Sequence, residues 1–200
     1  MDLDFDKIFH LDSHMQEPGR GSLLVAKPVV FDPVFQRSVV LLMDHDADGS
    51  SGVIVNKPSG YTLSQLLPEV KTTMDIPVFM GGPVSLNYLS WIHNIGPDLI
   101  EDSTELMPGL YFGGDIDSLL HFAATDNKVL QHIKFFIGQS GWGANQLAAE
   151  IENHDWAIID TFSPETMLSY SHEQIWDSAV AQLGNQAKRW SNWPEEIFDN

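Results

Sequence analysis

The sequence predicts a mixed α and β domain whose central strands are covered on both faces. Three observations carry that expectation. Between Arg37 and Pro58, two continuously apolar runs (residues 39–43 and 53–55) face each other across a polar, Gly-containing loop, the pattern of a long hairpin inside a sheet. Two later stretches repeat apolar residues at helical spacing: Ile116, Leu119, Leu120 and Ala123 in one, Ile175, Trp176, Ala179, Val180 and Leu183 in the other. Between them lie short apolar runs bounded by Gly and Pro, with no internal repeat.

Taken in order, residues 1–20 are acidic and lead into Glu17-Pro18-Gly19-Arg20-Gly21, a boundary signal, so they read as an arm in which Phe5, Ile8 and Phe9 can form one short docking helix. Residues 22–27 read as a strand stopped by Pro28, and Asp32-Pro33 marks a turn before the hairpin. Thr62-Leu63-Ser64-Gln65 has the spacing of a capping box and opens a short helix ended by Pro68. Residues 77–80 form a strand that runs into Gly81-Gly82-Pro83, and 88–93 and 110–112 are two more. Asp115 caps a helix through Ala124. A strand at 132–137, a Gly-rich loop, a helix near 144–153 and a strand at 156–159 follow. Ser163-Pro164-Glu165 sets an N-cap before a first-turn Pro, Ser171-His172-Glu173-Gln174 is a second capping box, and the last helix stops at Gly184.

The chain has 200 residues, enough to bury roughly 70% of its unfolded surface in one domain. It has no cysteine, which excludes disulfides, thiolate metal sites and a Cys nucleophile. The opening MDLDFDKIFHLDSHM lacks the positive start and apolar run of a secretory signal, and nowhere do about 18 apolar residues run together. A soluble cytoplasmic protein without a membrane segment is expected. Net charge is −18, from 28 acidic against 10 basic residues. A field of that sign opposes phosphate-backbone binding, so direct nucleic-acid contact is not expected. Arg20, Lys27, Arg37 and Lys57, all in the N-terminal third, could form a local positive patch or simply solvated surface.

Several motifs could carry chemistry. Asp44-His45-Asp46-Ala47-Asp48-Gly49 matches the opening of a calcium loop, but its twelfth position is Val55 and its flanks are strand-like, so turn chemistry is the better reading. His45 is a ligand or base candidate within it. Gly138-Gln139-Ser140-Gly141-Trp142-Gly143 is placed between a strand and a helix, where backbone N–H groups can hold an anion. It is neither a nucleophile elbow nor a phosphate loop, since Trp142 stands where Gly is needed and no Gly-Lys-Ser/Thr ending follows; its glycine order is also wrong for a dinucleotide fingerprint. Either Ser140 and Gly141 contact a ligand, or the glycines make a tight turn while Trp142 plugs the core. Gly81 and Gly82 could offer amides to a ligand or only turn the chain. His10 and His14 have the i, i+4 spacing of a zinc pair on what reads as a solvated arm. His93, His121 and His132 read as hydrogen-bonded structural residues. No Ser-His-Asp order or carboxylate pair stands out, and no catalytic residue, metal ligand or cofactor is assigned.

Set side by side, these pieces resemble the YqgE/AlgH family. The resemblance rests on Gly21-Ser22-Leu23-Leu24 with Ala26 and Pro28; on Phe35, Arg37, Ser38 and Val39; on His45, Gly49, Gly52, Asn56 and Pro58; on Gly81-Gly82-Pro83-Val84; on His93; and on Gly141-Trp142-Gly143-Ala144 with Gln146-Leu147. It implies an α+β fold with a mixed, bifurcated, barrel-like β-sheet and helices packed around it, in bacterial cytoplasmic proteins. One domain at 21–184 then follows, between the 1–20 arm and a 185–200 C-terminal tail. The resemblance also implies transcriptional regulation; with no basic helix-turn-helix in sight, that role is expected to be indirect. This chain departs from the family pattern at Lys57, at Asn145 and across residues 111–115.

The expected function is therefore a non-enzymatic regulatory or interaction protein that binds a small molecule or a protein partner. Its candidate contacts are Arg37, His45, Asn56, Gly81, Gly82, Ser140, Gly141 and Trp142. The alternative is a hydrolase or nucleotide-dependent enzyme using Ser140 or His45 and the Gly138 to Gly143 loop.

Overall fold

The computed structural model describes residues 11, 17–30, 32–68, 70, 75–125, 132–160, 162–169 and 171–193. The docking helix expected at Phe5, Ile8 and Phe9 and the His10–His14 pair lie outside the described residues.

The hairpin forms as the apolar runs require. Strand β2 (Val39–His45) pairs antiparallel with β3 (Gly49–Ile54), Leu41 opposite Val53, and every residue from Val39 to Leu42 is fully buried. Strand β1 (Leu23–Ala26) lies against β2 and is flanked on its other side by β10 (Trp156–Ile159). At the hairpin tip, Asp46 Oδ1 accepts from the backbone N–H of Asp48 (2.8 Å) and of Gly49 (3.1 Å), so the carboxylate serves the turn.

The sheet divides at β9 (Ile133–Gly143). Its last residues pair with β3, Ser140 opposite Gly52 and Gly143 opposite Gly49. Its earlier residues pair antiparallel with β6 (Val84–His93) on one side and parallel with β5 (Pro77–Met80) on the other. Beyond β6 come β8 (Leu110–Phe112) and β7 (Thr104–Met107), and β4 (Pro58–Thr62) pairs with β5. Ten strands and six helices among the described residues make this an α+β fold with a bifurcated sheet. The main path runs β10-β1-β2-β3-β9-β6-β8-β7, and its two ends do not pair, so the sheet curls without closing.

The Gly-rich segment expected as a loop is part of β9. Gly138 serves close approach of backbones rather than a turn: a Cβ there would lie 2.4 Å from the oxygen of Gly82, and on the facing segment one on Gly82 would lie 2.3 Å from the carbonyl carbon of Gln139 and one on Gly81 2.3 Å from the oxygen of Gly138. Strand β7 was not anticipated, because Thr104-Glu105-Leu106-Met107 is a short edge strand with a single buried side chain, Leu106.

Helices α1 (Leu63–Leu66) and α2 (Ile116–Thr125) cover one face of the β9–β6 branch, burying Leu63 and Leu119 with Ile133 and Phe135. Gln65 reaches back to the Thr62 N–H at 2.9 Å, and Asp115 accepts from Ser118 N–H at 2.8 Å, as the capping spacings require. Helix α3 (Gln146–Glu152) covers β1–β3 from outside, where Trp142, Leu147 and Trp156 pack. Helices α4 (Pro164–Leu168) and α5 (Glu173–Gln182) close the inner core with Met167, Ile175, Trp176, Ala179 and Val180. The second capping box does not form: α5 is capped by His172, not Ser171, with no side-chain hydrogen bond. Past Gly184 the chain keeps packing. A 3-10 turn (Asn185–Ala187) and α6 (Lys188–Ser191) bury Ala187 and Trp190 in the inner core, so these residues extend the fold beyond the boundary expected at 184.

Candidate functional site

Arg37 sits just before β2 with φ of 51°, a left-handed backbone that a bulky side chain rarely adopts. The conformation is held by Asn56, a buried side chain just past β3 at the same open end of the hairpin. Its Nδ2 donates to the Arg37 carbonyl at 2.8 Å and its Oδ1 accepts from the Val39 N–H at 2.8 Å. The Arg37 guanidinium then lies over the Trp176 ring, 4.9 Å from its centroid, and donates to the Trp193 carbonyl. Trp176 is itself fixed by its indole N–H, which donates to the Ala26 carbonyl at 3.1 Å.

Arg37, Asn56 and Trp176 line a cavity of about 320 Å³ together with Lys57, His172 and Asp177. Two full cations and one carboxylate make it locally positive in a chain of net charge −18. Arg37 and Asn56 were legible as candidates in the sequence. His172 and Trp176 were not, because one looked like a cap residue and the other like part of a core stripe.

The remaining candidates lie elsewhere. Gly81, Gly82 and Ser140 meet at the sheet junction, where the Gly81 carbonyl accepts from both the Ile54 N–H (2.8 Å) and the Ser140 hydroxyl (3.0 Å). Ser140 is fully buried, so its hydroxyl joins strands there. Trp142 is buried in the outer core beside Trp156, and both indole N–H groups donate to Glu150 Oε2, at 2.7 and 2.8 Å. Gly141 is on the same strand, opposite Ser51. His45 is at the other end of β2 from Arg37, its Nδ1 2.7 Å from Ser50 Oγ. The N-terminal basic residues do not form one patch either: Arg20 pairs with Asp44 and Lys27 with Asp155, while Arg37 and Lys57 share the cavity.

Two buried bases complete the electrostatics. His93 is fully buried on β6, its Nε2 3.1 Å from the Gly113 carbonyl and 3.0 Å from Ser103 Oγ; burial pushes it down to about 4. Lys134 is fully buried on β9, and burial pushes it down to about 7. Its Nζ donates to the carbonyls of Ser169 (2.8 Å) and Met167 (3.2 Å) and lies 4.0 Å from the Phe79 ring centroid. The His172 ring also meets Phe79, at 6.2 Å between centroids, so Phe79 touches both Lys134 and a residue of the cavity lining. The sequence reading of His93 as a hydrogen-bonded structural residue holds, whereas Lys134 was not singled out, since only the tertiary packing desolvates it.

The described residues contain no group of three His, Asp or Glu side chains that could hold a metal ion, and no helix among them is long and apolar enough to cross a membrane. The Arg37 cavity is thus lined by cations, an amide and an aromatic face.

Comparison with known proteins places the chain. A family model described as AlgH-like matches residues 23–188. A UPF0301 protein of Parabacteroides distasonis is 35% identical over 196 residues, covering 98% of each chain. Another from Bacteroides thetaiotaomicron is 33% identical over 195 residues, covering 98% of this chain and 97% of that one. The fold is shared with the AlgH protein from Pseudomonas aeruginosa (TM-score 0.67, 24% identity, 92% of this chain and 100% of that one). It is also shared with protein DIP2367 from Corynebacterium diphtheriae (TM-score 0.74, 21% identity, 90% of this chain and 95% of that one). By the extent of the family match and by relatives that run along nearly its whole length, this chain belongs to the AlgH-like family.

Proposed function

We propose that this is a non-enzymatic, cytoplasmic regulatory protein whose Arg37 cavity takes a small ligand bearing an anionic group, and whose effect on transcription passes through a protein partner. The observation that carries this reading is the tie between Asn56 and Arg37. A bulky residue at positive φ costs on the order of 1–3 kcal/mol, and such strain collects at ligand clamps. Here the cost is met by two hydrogen bonds from one buried amide, and the outcome is a guanidinium fixed on an indole face at the edge of a cavity. A planar fork held in that way is suited to a carboxylate or phosphate. The chain-wide negative charge supports a partner protein rather than DNA as the next link.

A thermal-shift series with inorganic phosphate, mono- and dicarboxylates and nucleotides tests it. A ligand at 100 times its dissociation constant adds about 2.7 kcal/mol of stability. At least one anion should raise the melting temperature, and Lys57→Gln should weaken that response about tenfold. A flat response across the whole series would remove the reading.

A further inference from the structure

We propose that the open mouth of the curled sheet is a second binding site, built for a small zwitterion with an apolar side chain. The mouth lies where β2 and β3 part from β6, β7 and β8, and encloses about 580 Å³, within the range of ligand pockets. It shares no lining residue with the Arg37 cavity.

Its floor is apolar. Met43, Leu106 and Phe112 reach it from the inner core, and the first two are almost fully buried. Its wall is neutral and polar, with Ser85, Asn87 and Gln139 supplying hydroxyl and amide groups. The wall is shaped by an irregular stretch of β6, which advances from Val84 to Leu89 while β9 advances only from Gln139 to Ile137. Ser85 takes φ of 53° there, a strained backbone for a residue with a side chain.

The charges at the rim decide the ligand class. Arg20 Nη2 and Asp44 Oδ1 are 3.0 Å apart, with side chains 50% and 59% exposed. An exposed pair of this kind is worth about 0–1 kcal/mol, so a ligand that brings its own carboxylate and ammonium can replace it at little cost. Arg20 then receives the carboxylate and Asp44 the ammonium, while the apolar side chain enters the floor. One cation beside one anion leaves the rim neutral, which disfavours ligands of net charge. A free hydrophobic amino acid is the smallest molecule of this description.

Calorimetric titration of the full chain with leucine, leucinamide and N-acetylleucine tests the assignment. Leucine should bind saturably, and both blocked forms should bind at least tenfold more weakly. Arg20→Gln should erase the discrimination against leucinamide, and Asp44→Asn the discrimination against N-acetylleucine. Both substitutions are at exposed positions, and circular dichroism checks that each variant is folded. No saturable leucine binding, equal binding of the blocked forms, or discrimination untouched by either substitution would overturn the proposal. These outcomes are independent of the anion series, which reads the other cavity.

Discussion

Gly21 lies directly against the carbonyl of Leu106: a Cβ on Gly21 would stand 2.3 Å from that oxygen, and the residue's φ of 85° already belongs to the left-handed region. The contact brings the start of β1 onto the edge strand β7, two parts of the sheet that do not pair, and so sets how far the sheet curls. Gly21→Ala must therefore move backbone as well as strain it. A loss of about 2–4 kcal/mol in urea unfolding is expected. A change under about 0.5 kcal/mol would show that the two ends are not held together.

Asn56→Ala removes both hydrogen bonds that hold the Arg37 segment and leaves the buried Val39 N–H without its acceptor. An unsatisfied buried donor costs about 1–3 kcal/mol, so a loss of about 2 kcal/mol is expected, together with weaker anion binding. Arg37→Gly separates the two roles: it relieves the backbone strain and deletes the guanidinium. Its stability should fall less than that of Asn56→Ala while anion binding is lost.

Glu150 holds two indoles through one carboxylate oxygen. Glu150→Ala leaves the N–H groups of Trp142 and Trp156 unserved and should cost about 2–3 kcal/mol. Glu150→Gln keeps an acceptor and should cost less than half of that. Tryptophan fluorescence during unfolding reads both.

The buried bases make stability depend on pH in two windows. His93 titrates near 4 in the folded chain against an ordinary 6.5, so the unfolded chain takes up the proton first as pH falls. Its contribution is intact above pH 6.5 and is lost towards pH 4, by roughly 3 kcal/mol. Lys134 titrates near 7 in the folded chain against 10.5, so the unfolded chain holds the extra proton between those values. Stability should accordingly rise with pH from 7 towards 10.5. Unfolding curves from pH 4 to 10 should show both slopes, with His93→Phe flattening the acid one and Lys134→Met the alkaline one.

How much of this could be read in the chain depends on which kind of packing each residue meets. The hairpin was legible because a strand covered on both faces must be apolar at successive positions, and Val39, Val40, Leu41 and Leu42 are. The caps at Asp115 and Ser163 were legible because their partners are three residues away. The segment from Gly138 to Gly143 was misread because local rules count glycine as a turn, whereas it continues a strand in which Gly138 passes close to a second backbone at Gly82. Arg37 and Asn56 were picked out as polar residues that accompany the glycine corners. Their union with Trp176 and His172 was hidden, because it joins positions more than a hundred residues apart in sequence, a distance no pattern or spacing rule spans.

The central claim is that Arg37, fixed by Asn56 and Trp176, makes an anion site of the cavity it lines. The most direct measurement is a two-dimensional NMR titration of the uniformly labelled chain with inorganic phosphate and with succinate, following the Lys57 and Asp177 amides and the Trp176 indole N–H. Saturable shifts confined to those signals in the native chain, and absent in Arg37→Gly, are the expected result. Shifts that are absent in the native chain, or that persist undiminished in Arg37→Gly, would contradict it.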